Sequence, residues 1–174
     1  MQYPASFKWS HENLDKVQST LKWFYDYPKV IELRHQSWSE NEAETRRLLE
    51  EYRTGQALIN EPKFHDSIRQ GLETVGDICY FRAHGRNAKA WWHAKESWER
   101  YDYLYSREEV KEHADKIKTV AGSGRVKKAF AFYNNHSRAN APANAIMLSQ
   151  ELGLRLRGMP AEAMVSKFPE LVKR

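Results

Sequence analysis

Charged and amide side chains cluster where four short apolar stretches of the sequence end. These polar residues are Glu32, Arg34, His35, Asn60, Glu61, Arg82, His84, Arg86, Asn134, Asn135 and His136. Carboxylates and imidazoles transfer protons, guanidinium groups bind phosphates and carboxylates, and carboxamides both donate and accept hydrogen bonds. Because burying such groups without partners is costly, they must pair with one another or with water, metal or ligand.

His84 and His136 are candidate catalytic residues, since histidine exchanges protons near neutral pH. Glu32 is a third candidate, which would orient a histidine or an arginine. Arg82 and Arg86 would hold an anion, because a guanidinium group offers two parallel hydrogen bonds to a phosphate or a carboxylate. The alternative for Glu32 is an ion pair with one of the arginines that only fixes the interior of the fold.

Other polar and aromatic residues of the same segments are candidates for ligand binding. Together with the two arginines, they are Arg34, His35, Asn60, Asn87, Trp92, Asn134 and Asn135. Asn134 and Asn135 either contact a ligand or satisfy the loop backbone. Trp92 either stacks on a sugar or a base or packs beneath its loop.

Imidazole and carboxylate groups together would suit a divalent metal ion. The residues of the right type are His35, His84, His136, Glu32 and Glu61. No HExxH or CxxC spacing accompanies them, so the sequence leaves the metal and any other cofactor open. The remaining histidines are expected at the surface: His11, His65, His93 and His113.

The elements that would position these residues alternate between strands and helices. Apolar runs predict strands at residues 30–34, 56–60, 78–84 and 129–134. Helices are expected from Ser10, from Ser39 with Glu42 as capping-box partner, from Ser106 with Glu109, over residues 141–152, and after Pro160. Such alternation predicts an α/β fold, a partial TIM-type barrel of about four parallel β/α units with an N-terminal helix. Because ligands bind at the carboxyl ends of strands in parallel barrels, the polar residues are expected to gather there.

Composition favours a soluble protein with a real core. The chain has 174 residues, of which 41% are hydrophobic and 29% charged, which excludes a disordered chain. Its net charge of +5 favours an anionic small molecule or nucleic acid as partner. Cys79 is the only cysteine, so no intramolecular disulfide forms. Neither a membrane-spanning run nor a signal peptide is recognisable, and we expect a cytoplasmic protein with no membrane partner.

Four segments of the sequence resemble the YecE-like family, the domain-of-unknown-function family numbered seventy-two. They read VIELRHQSW at 30–38, YFRAHGRNAKAWW at 80–92, RYDYLYS at 100–106 and FYNNH at 132–136, and PASFKWSHENL at 4–14 is similar to a helix in the middle of the family's chains. The resemblance covers residues 4–152 and implies a TIM barrel similar to those of sugar isomerases and endonuclease IV, with no established activity. The polar positions that it implies for the site are Glu32, Arg34, His35, Arg82, His84, Arg86, Asn134, Asn135 and His136.

Members of this family usually run longer at the N-terminus, with several strands before that helix. The resemblance therefore implies that residues 1–174 are a single domain, the C-terminal part of a barrel. Four strands cannot close a barrel that typically needs eight. The chain is then a fragment, or two copies complete one barrel as a homodimer, or the sheet stays open. An open sheet would expose apolar strand faces, so we expect a lone monomer to be poorly stable.

Three functions remain open at this point, and the sequence leaves undecided whether the protein is an enzyme. The first is an enzyme-like domain that acts on a phosphorylated or nucleic-acid ligand. The second is a non-catalytic module that binds nucleic acid or another polyanion through charge and stacking, with an affinity that falls steeply with salt. The third is a truncated family member without activity.

Overall fold

Short parallel strands alternate with helices along the chain. The computed structural model describes residues 1–71, 75–158 and 160–171, without the side chains of residues 91, 92, 97 and 170. Its strands are β1 (Lys29–Ile31), β2 (Thr54–Asn60), β3 (Ile78–Ala83) and β4 (Lys128–Tyr133). They form one parallel sheet in the order β1-β2-β3-β4, which is not closed. The predicted α/β class is confirmed, and the sheet is compatible with part of a TIM-type barrel.

One helix precedes the first strand, and the others fall between and after the strands. They are α1 (His11–Trp23), α2 (Ser37–Glu40), α3 (Glu42–Glu51), α4 (Ala88–His93), α5 (Arg107–Ala121), α6 (Asn140–Glu151) and α7 (Glu162–Lys167). Short 3-10 turns occupy Ser97–Tyr101, Ser137–Ala139 and Pro169–Leu171. Strands β1, β3 and β4 are each followed by at least one helix, as in a succession of β/α units, whereas no helix lies between β2 and β3 among the residues that are described there.

Two predicted helix starts are confirmed at the level of single hydrogen bonds. The hydroxyl of Ser10 accepts from the amide of Asn13 at 3.2 Å and caps α1. At the start of α5 the capping box is complete. The hydroxyl of Ser106 accepts from the Glu109 amide at 3.3 Å, and the Glu109 carboxylate accepts from the Ser106 amide at 2.9 Å.

The predicted start of the second helix at Ser39 is wrong. Ser39 lies inside α2, and α3 begins after Asn41 without a side-chain cap. The hydroxyl of Ser39 donates to the carbonyl of Gln36 at 2.7 Å and accepts from the amide of Arg69 at 3.1 Å. Because Arg69 stands 30 residues further along the chain, a tertiary contact decides what this serine does.

The chain divides into two compact units. The first consists of Met1–Ile59, Lys63–Arg82 and Thr119–Phe130, and the second of Asn60–Pro62, Ala83–Lys118 and Ala131–Arg174. In the first unit the core is built from apolar side chains of α1, β1, the two helices that follow β1, and β2: Val17, Leu21, Ile31, Leu33, Trp38, Leu48, Leu49 and Ile59. The single-domain organisation stays a prediction.

Strand β4 stands at one edge of the sheet and is exposed along most of its length. All residues from Lys128 to Phe132 are exposed, with Phe130 at 43% and Phe132 at 44%. The expectation that an open sheet exposes apolar side chains is therefore met at this strand. A homodimer that completes the barrel, which would cover such a strand, stays a prediction.

Gly55 allows β2 to lie close to its neighbours, which gives a first test of the packing. A Cβ atom at this position would lie 2.9 Å from the carbonyl oxygen of Ile78 and 3.2 Å from Cγ2 of Val30. We expect Gly55→Ala to lower the free energy of unfolding by about 1–3 kcal/mol, because backbone must move. Urea denaturation followed by circular dichroism measures this change. Gly124→Asn is the control, since nothing lies within 4 Å of a Cβ there and asparagine tolerates the positive φ. Equal stabilities of the two variants would contradict the prediction.

Candidate functional site

A buried ion pair marks the carboxyl end of β1 in the first unit. Glu32 is 2% exposed, and its Oε2 lies 2.6 Å from Nη1 of Arg82. The Oε1 atom lies 3.9 Å from Nε of Arg34. One of the alternatives that the sequence left open, an ion pair of Glu32 with an arginine, is therefore present. Catalytic or ligand-binding roles for these three residues stay predictions.

The N-terminal residues hold Glu32 in place, which the sequence analysis missed. The amide of Glu32 donates to the carbonyl of Met1 at 2.9 Å, and the amide of Tyr3 donates to the carbonyl of Glu32 at 3.0 Å. The side-chain oxygen of Gln2 accepts a hydrogen bond of 2.8 Å from Arg82. Because residues 1–3 look like an ordinary polar start of a chain, only the folded structure reveals this pairing.

His35 stabilises the turn that precedes α2. Its Nδ1 accepts from the amide of Ser37 at 3.1 Å and lies 2.8 Å from the hydroxyl of the same residue. That hydroxyl also accepts from the amide of Trp9 at 2.8 Å. The imidazole is 8% exposed, so its described contacts are structural, and ligand binding by His35 stays a prediction.

In the second unit, Tyr105 and Asn60 form the centre of a buried hydrogen-bond network. The Tyr105 hydroxyl donates to Oδ1 of Asn60 at 3.0 Å and accepts from the amide of Gly85 at 2.8 Å. The carbonyl of Asn60 accepts from the amide of His84 at 2.8 Å. These bonds connect the ends of β2 and β3. They require glycine at position 85, where φ is +94° and a Cβ would lie 3.1 Å from Tyr103.

Two buried asparagines extend the network to β4 and α6. Asn144 pairs with the backbone of Tyr105 twice, through its Oδ1 at 3.1 Å and its Nδ2 at 2.9 Å. The Nδ2 atom of Asn135 donates to Oδ1 of Asn144 and to the carbonyl of Tyr103, both at 2.7 Å. Its Oδ1 is buried and has no hydrogen-bond partner among the described residues. A water molecule or a ligand hydroxyl would satisfy this acceptor.

Arg86 is held between two carboxylates of α5. Its Nη1 lies 2.8 Å from Glu109 and its Nη2 lies 3.1 Å from Glu112, while its Nε donates to Asn60 at 3.2 Å. Burial alone would lower the pKa of Arg86, but the bond to Glu112 and the charges of both glutamates raise it. Burial and a hydrogen bond to Glu109 raise the pKa of Tyr103 to about 12. The arginine and the phenol thus keep their protons at neutral pH.

His113 lies in the interior, so its predicted surface position is wrong. It is fully buried, and its Nδ1 is 3.1 Å from the hydroxyl of Tyr133. Burial, and to a smaller extent the positive charges of Arg86 and Lys116, lower its pKa to about 3. The sequence carried the necessary information, because position 113 falls at helical spacing between the apolar residues 110 and 117. His11, His65 and His93 are exposed, as predicted.

The other candidates of the second unit differ in burial. His84 is 3% and Glu61 7% exposed, whereas His136 is exposed and lies 5.4 Å, centroid to centroid, from the ring of Tyr101. The amide of Asn134 donates to the carbonyl of Ala83 at 2.7 Å and joins β4 to β3.

Two predicted ligand-binding residues lie in the segment after β3, Asn87 directly before α4 and Trp92 within it. Asn87 caps α4 by accepting from the amide of Ala90, and its Nδ2 donates to the carbonyl of Glu99 at 3.1 Å. Its described contacts therefore close the loop. The side chain of Trp92 lies outside the described residues. Ligand binding by either residue stays a prediction.

No metal centre is evident in the part of the chain that the structure describes. Over residues 1–71, 75–158 and 160–171, no group of three or more histidine, cysteine, aspartate or glutamate side chains converges as ligands would. Glu32 pairs with Arg82, and Glu109 and Glu112 pair with Arg86. A divalent metal as cofactor stays a prediction.

The chain matches one protein family and is similar to solved structures. The family described as protein of unknown function DUF72 matches residues 1–168. A DUF72 family protein from Thermotoga maritima MSB8 is 36% identical, with a TM-score of 0.77 over 87% of this chain and 56% of its own. A DUF72 family protein from Enterococcus faecalis V583 is 24% identical, with a TM-score of 0.80 over 92% of this chain and 60% of its own.

These structural relatives are longer than the chain, which spans 56% of the first and 60% of the second. No curated protein is similar enough to count as a match. The similarity therefore concerns family and fold.

The ion pair at the end of β1 predicts an asymmetric response to substitution. Arg82→Met removes the 2.6 Å partner of a carboxylate that is 2% exposed, and we expect the free energy of unfolding to fall by about 3 kcal/mol. Arg82→Met combined with Glu32→Leu should be more stable than Arg82→Met alone, since the buried carboxylate that lost its 2.6 Å partner is removed as well. Chemical denaturation measures both. The exposed Arg47→Met is the control, and a double variant less stable than either single variant would contradict the prediction.

The buried imidazole of His113 predicts a pH dependence of stability. The unfolded chain binds a proton here below about pH 6.5, and the folded chain only near pH 3, so stability is lost as the pH falls between these values. From about pH 7 to about pH 4, the wild type should lose roughly 3 kcal/mol more than His113→Gln. Denaturant titrations over this range measure the difference. His93→Gln, at an exposed position, should follow the wild type, and parallel profiles for all three proteins would refute the assignment.

Proposed function

The chain belongs to the DUF72 family, the YecE-like family that its sequence resembles, and we propose that its second unit carries an enzyme-like site for a small phosphorylated ligand. The site would lie at the carboxyl ends of β2, β3 and β4. DUF72 is a family of unknown function, so the proposal depends on this chain's own residues. The residues of the proposed site are Asn60, Glu61, His84, Arg86, Asn135 and His136.

One observation carries the proposal: polar side chains are buried at the ends of three successive strands. Asn60 is 8% exposed, Glu61 7%, His84 3% and Asn135 0%. Burial of polar side chains costs free energy even where they are paired, and a ligand site is one reason for a fold to bury them. Buried polar groups at the carboxyl ends of parallel strands are typical of ligand sites in this class of fold.

The mixture of groups favours a ligand that carries both hydroxyls and a phosphate. Carboxylate and carboxamide oxygens accept hydrogen bonds from hydroxyl groups. The buried Oδ1 of Asn135 is such an acceptor and has no donor among the described residues. Arg86 is fixed by Glu109 and Glu112, with 30% of its side chain still exposed. A guanidinium group held in this way can bind a phosphate without first becoming ordered. A sugar phosphate has the required chemistry.

Two histidines supply the proton transfer of the proposed site. His84 follows β3 and is buried, whereas His136 follows β4 and is exposed. An imidazole at each position suits a general acid and a general base. In the first unit, the proposed role of Glu32 and Arg82 is to stabilise the carboxyl end of β1 as an ion pair.

A nucleic-acid ligand, with the chain as a non-catalytic polyanion binder, is the second candidate and fits less well. The glutamates on either side of Arg86 would repel a continuous phosphate backbone. The positive charge of the chain is spread along the sequence. A single phosphate at the N–H groups of Arg86 that have no described partner would meet this repulsion at one point only, so the small ligand is favoured.

The cellular location belongs to the same proposal. Among the residues that the structure describes, no helix is both long and apolar enough to cross a bilayer. We propose a cytoplasmic protein, since its one cysteine is a buried free thiol, which suits a reducing compartment. Phosphorylated metabolites are present in the cytoplasm.

Ligand binding can be tested with ribose 5-phosphate, ribose and inorganic phosphate. We expect ribose 5-phosphate to bind at least ten-fold more tightly than ribose, because only the former reaches both kinds of group. His136→Gln should weaken its binding several-fold without changing the melting temperature, since this side chain is exposed. Isothermal titration calorimetry measures affinity, and thermal unfolding measures stability.

His93→Gln is the matched control, because it removes an exposed histidine of the same unit that ends α4. Equal affinities for ribose and ribose 5-phosphate, or no binding of either, would refute the proposal. An oligonucleotide that binds uncut in Mg²⁺, Mn²⁺ or Zn²⁺, with affinity falling steeply with salt, would favour the polyanion binder. Absence of all binding would favour a truncated, inactive family member.

A further inference from the structure

A cavity with mainly apolar walls lies in the second unit. None of the residues of the proposed strand-end site is among its lining residues. Its volume is about 640 Å³, within the range of small-molecule sites. Helices α6 and α7 and the segment between them supply the walls: Pro142, Ala145, Ile146, Leu156, Ala163 and Met164. Ile146 and Met164 are buried at 8% and 5%, while Leu156 is 39% exposed. A concave, mainly apolar surface with a few polar groups is the usual form of a small-molecule site.

Among the described lining residues, three side chains are basic and none is acidic. They are Arg138, Arg157 and Lys167. Arg138 lies 3.4 Å from Asp102 with 67% of its side chain exposed, and Lys167 donates to the carbonyl of Arg138. Arg157 forms no hydrogen bond or ion pair with a described residue. The cavity therefore combines an apolar interior with three basic side chains, of which Arg138 is paired with a carboxylate.

The backbone next to these cations is held in an uncommon conformation. Arg138 and Ala139 both have positive φ, at 52° and 62°, although neither is glycine. Such residues cost free energy and occur mostly where the surrounding structure demands them. Here the strained turn immediately precedes α6 and places Arg138 at the lining of the cavity.

We propose that this cavity binds a small amphipathic anion, with an aliphatic body against α6 and α7 and a carboxylate or phosphate head group at Arg138, Arg157 and Lys167. Charge complementarity selects this occupant, because an apolar protein segment would leave three cations facing apolar surface. The proposal is independent of the strand-end site, with which it shares no residue. Fatty acids carry such a carboxylate head group, and alkyl phosphates carry such a phosphate head group.

Octanoate, octyl phosphate and 1-octanol distinguish the parts of the proposal. Both anions should bind at least ten-fold more tightly than the alcohol, because only they neutralise the basic side chains. Affinity should rise about four-fold for each methylene from hexanoate to decanoate, as expected for burial of the chain. Isothermal titration calorimetry on the full chain, below the critical micelle concentrations, measures these affinities. A stronger response to octyl phosphate than to octanoate would identify phosphate as the preferred head group.

Two pairs of variants locate the binding. Arg157→Gln should weaken octanoate binding about ten-fold and leave 1-octanol unchanged, while Arg155→Gln, outside the lining, should change neither. Ala163→Trp fills the cavity and should abolish the binding of all three probes. Ser166→Trp places the same side chain at an exposed position of α7 outside the lining and should preserve it. Thermal unfolding shows which variants remain folded.

Equal affinities for octanoate and 1-octanol would overturn the proposal, as would octanoate binding that survives Ala163→Trp in a folded protein. No octanoate or octyl phosphate binding at about ten millimolar would overturn it as well. Because ribose 5-phosphate has no aliphatic chain, its binding is unaffected by Ala163→Trp if it occupies the strand ends. The two sites therefore fail or succeed separately.

Discussion

Polar groups buried at strand ends must be hydrogen bonded, and Tyr105 is the residue through which the second unit meets this requirement. Its hydroxyl joins Asn60 to the backbone of Gly85, and its own backbone is paired on both sides by Asn144. Removing one member would leave several buried donors and acceptors without partners. The strand ends, the loop before α5 and the start of α6 are consequently fixed by one network.

The same network explains why burial of the Tyr105 and Tyr133 phenols raises the pKa of both and why His113 stays neutral. A charge on any of these rings would lack water, and a positive charge on His113 would also be repelled by Arg86 and Lys116. The rings pack edge to face, with Tyr105 and His113 centroids 4.8 Å apart. These three rings are thus neutral at neutral pH, and the ionic group of Arg86 and its two glutamates lies beside them.

Both units pair arginine with glutamate, yet the pairs differ in what they leave exposed. Arg82 and Glu32 are almost wholly buried, with side chains 16% and 3% exposed, so their attraction mainly offsets the cost of taking two charges out of water. Arg86 keeps 30% of its side chain exposed. This difference is the physical reason for placing the proposed ligand in the second unit rather than at Glu32. The cavity lined by α6 and α7 differs from both ion pairs, since its described lining residues include basic side chains but no carboxylate.

What the sequence by itself determined were the elements that depend on neighbours along the chain. The four strands, the capping box of Ser106 and Glu109 and the family resemblance all depend on local spacing, and each is confirmed. Polar residues at strand ends were also recognised locally. Their partners were not, because Gln2 and Arg82, or Asn60 and Tyr105, are separated by 80 and 45 residues. Only the tertiary structure decided which arginine meets which carboxylate, that Ser39 bonds Arg69, and that His113 is buried, since hydrogen bonds and burial depend on distance in space rather than on distance along the chain.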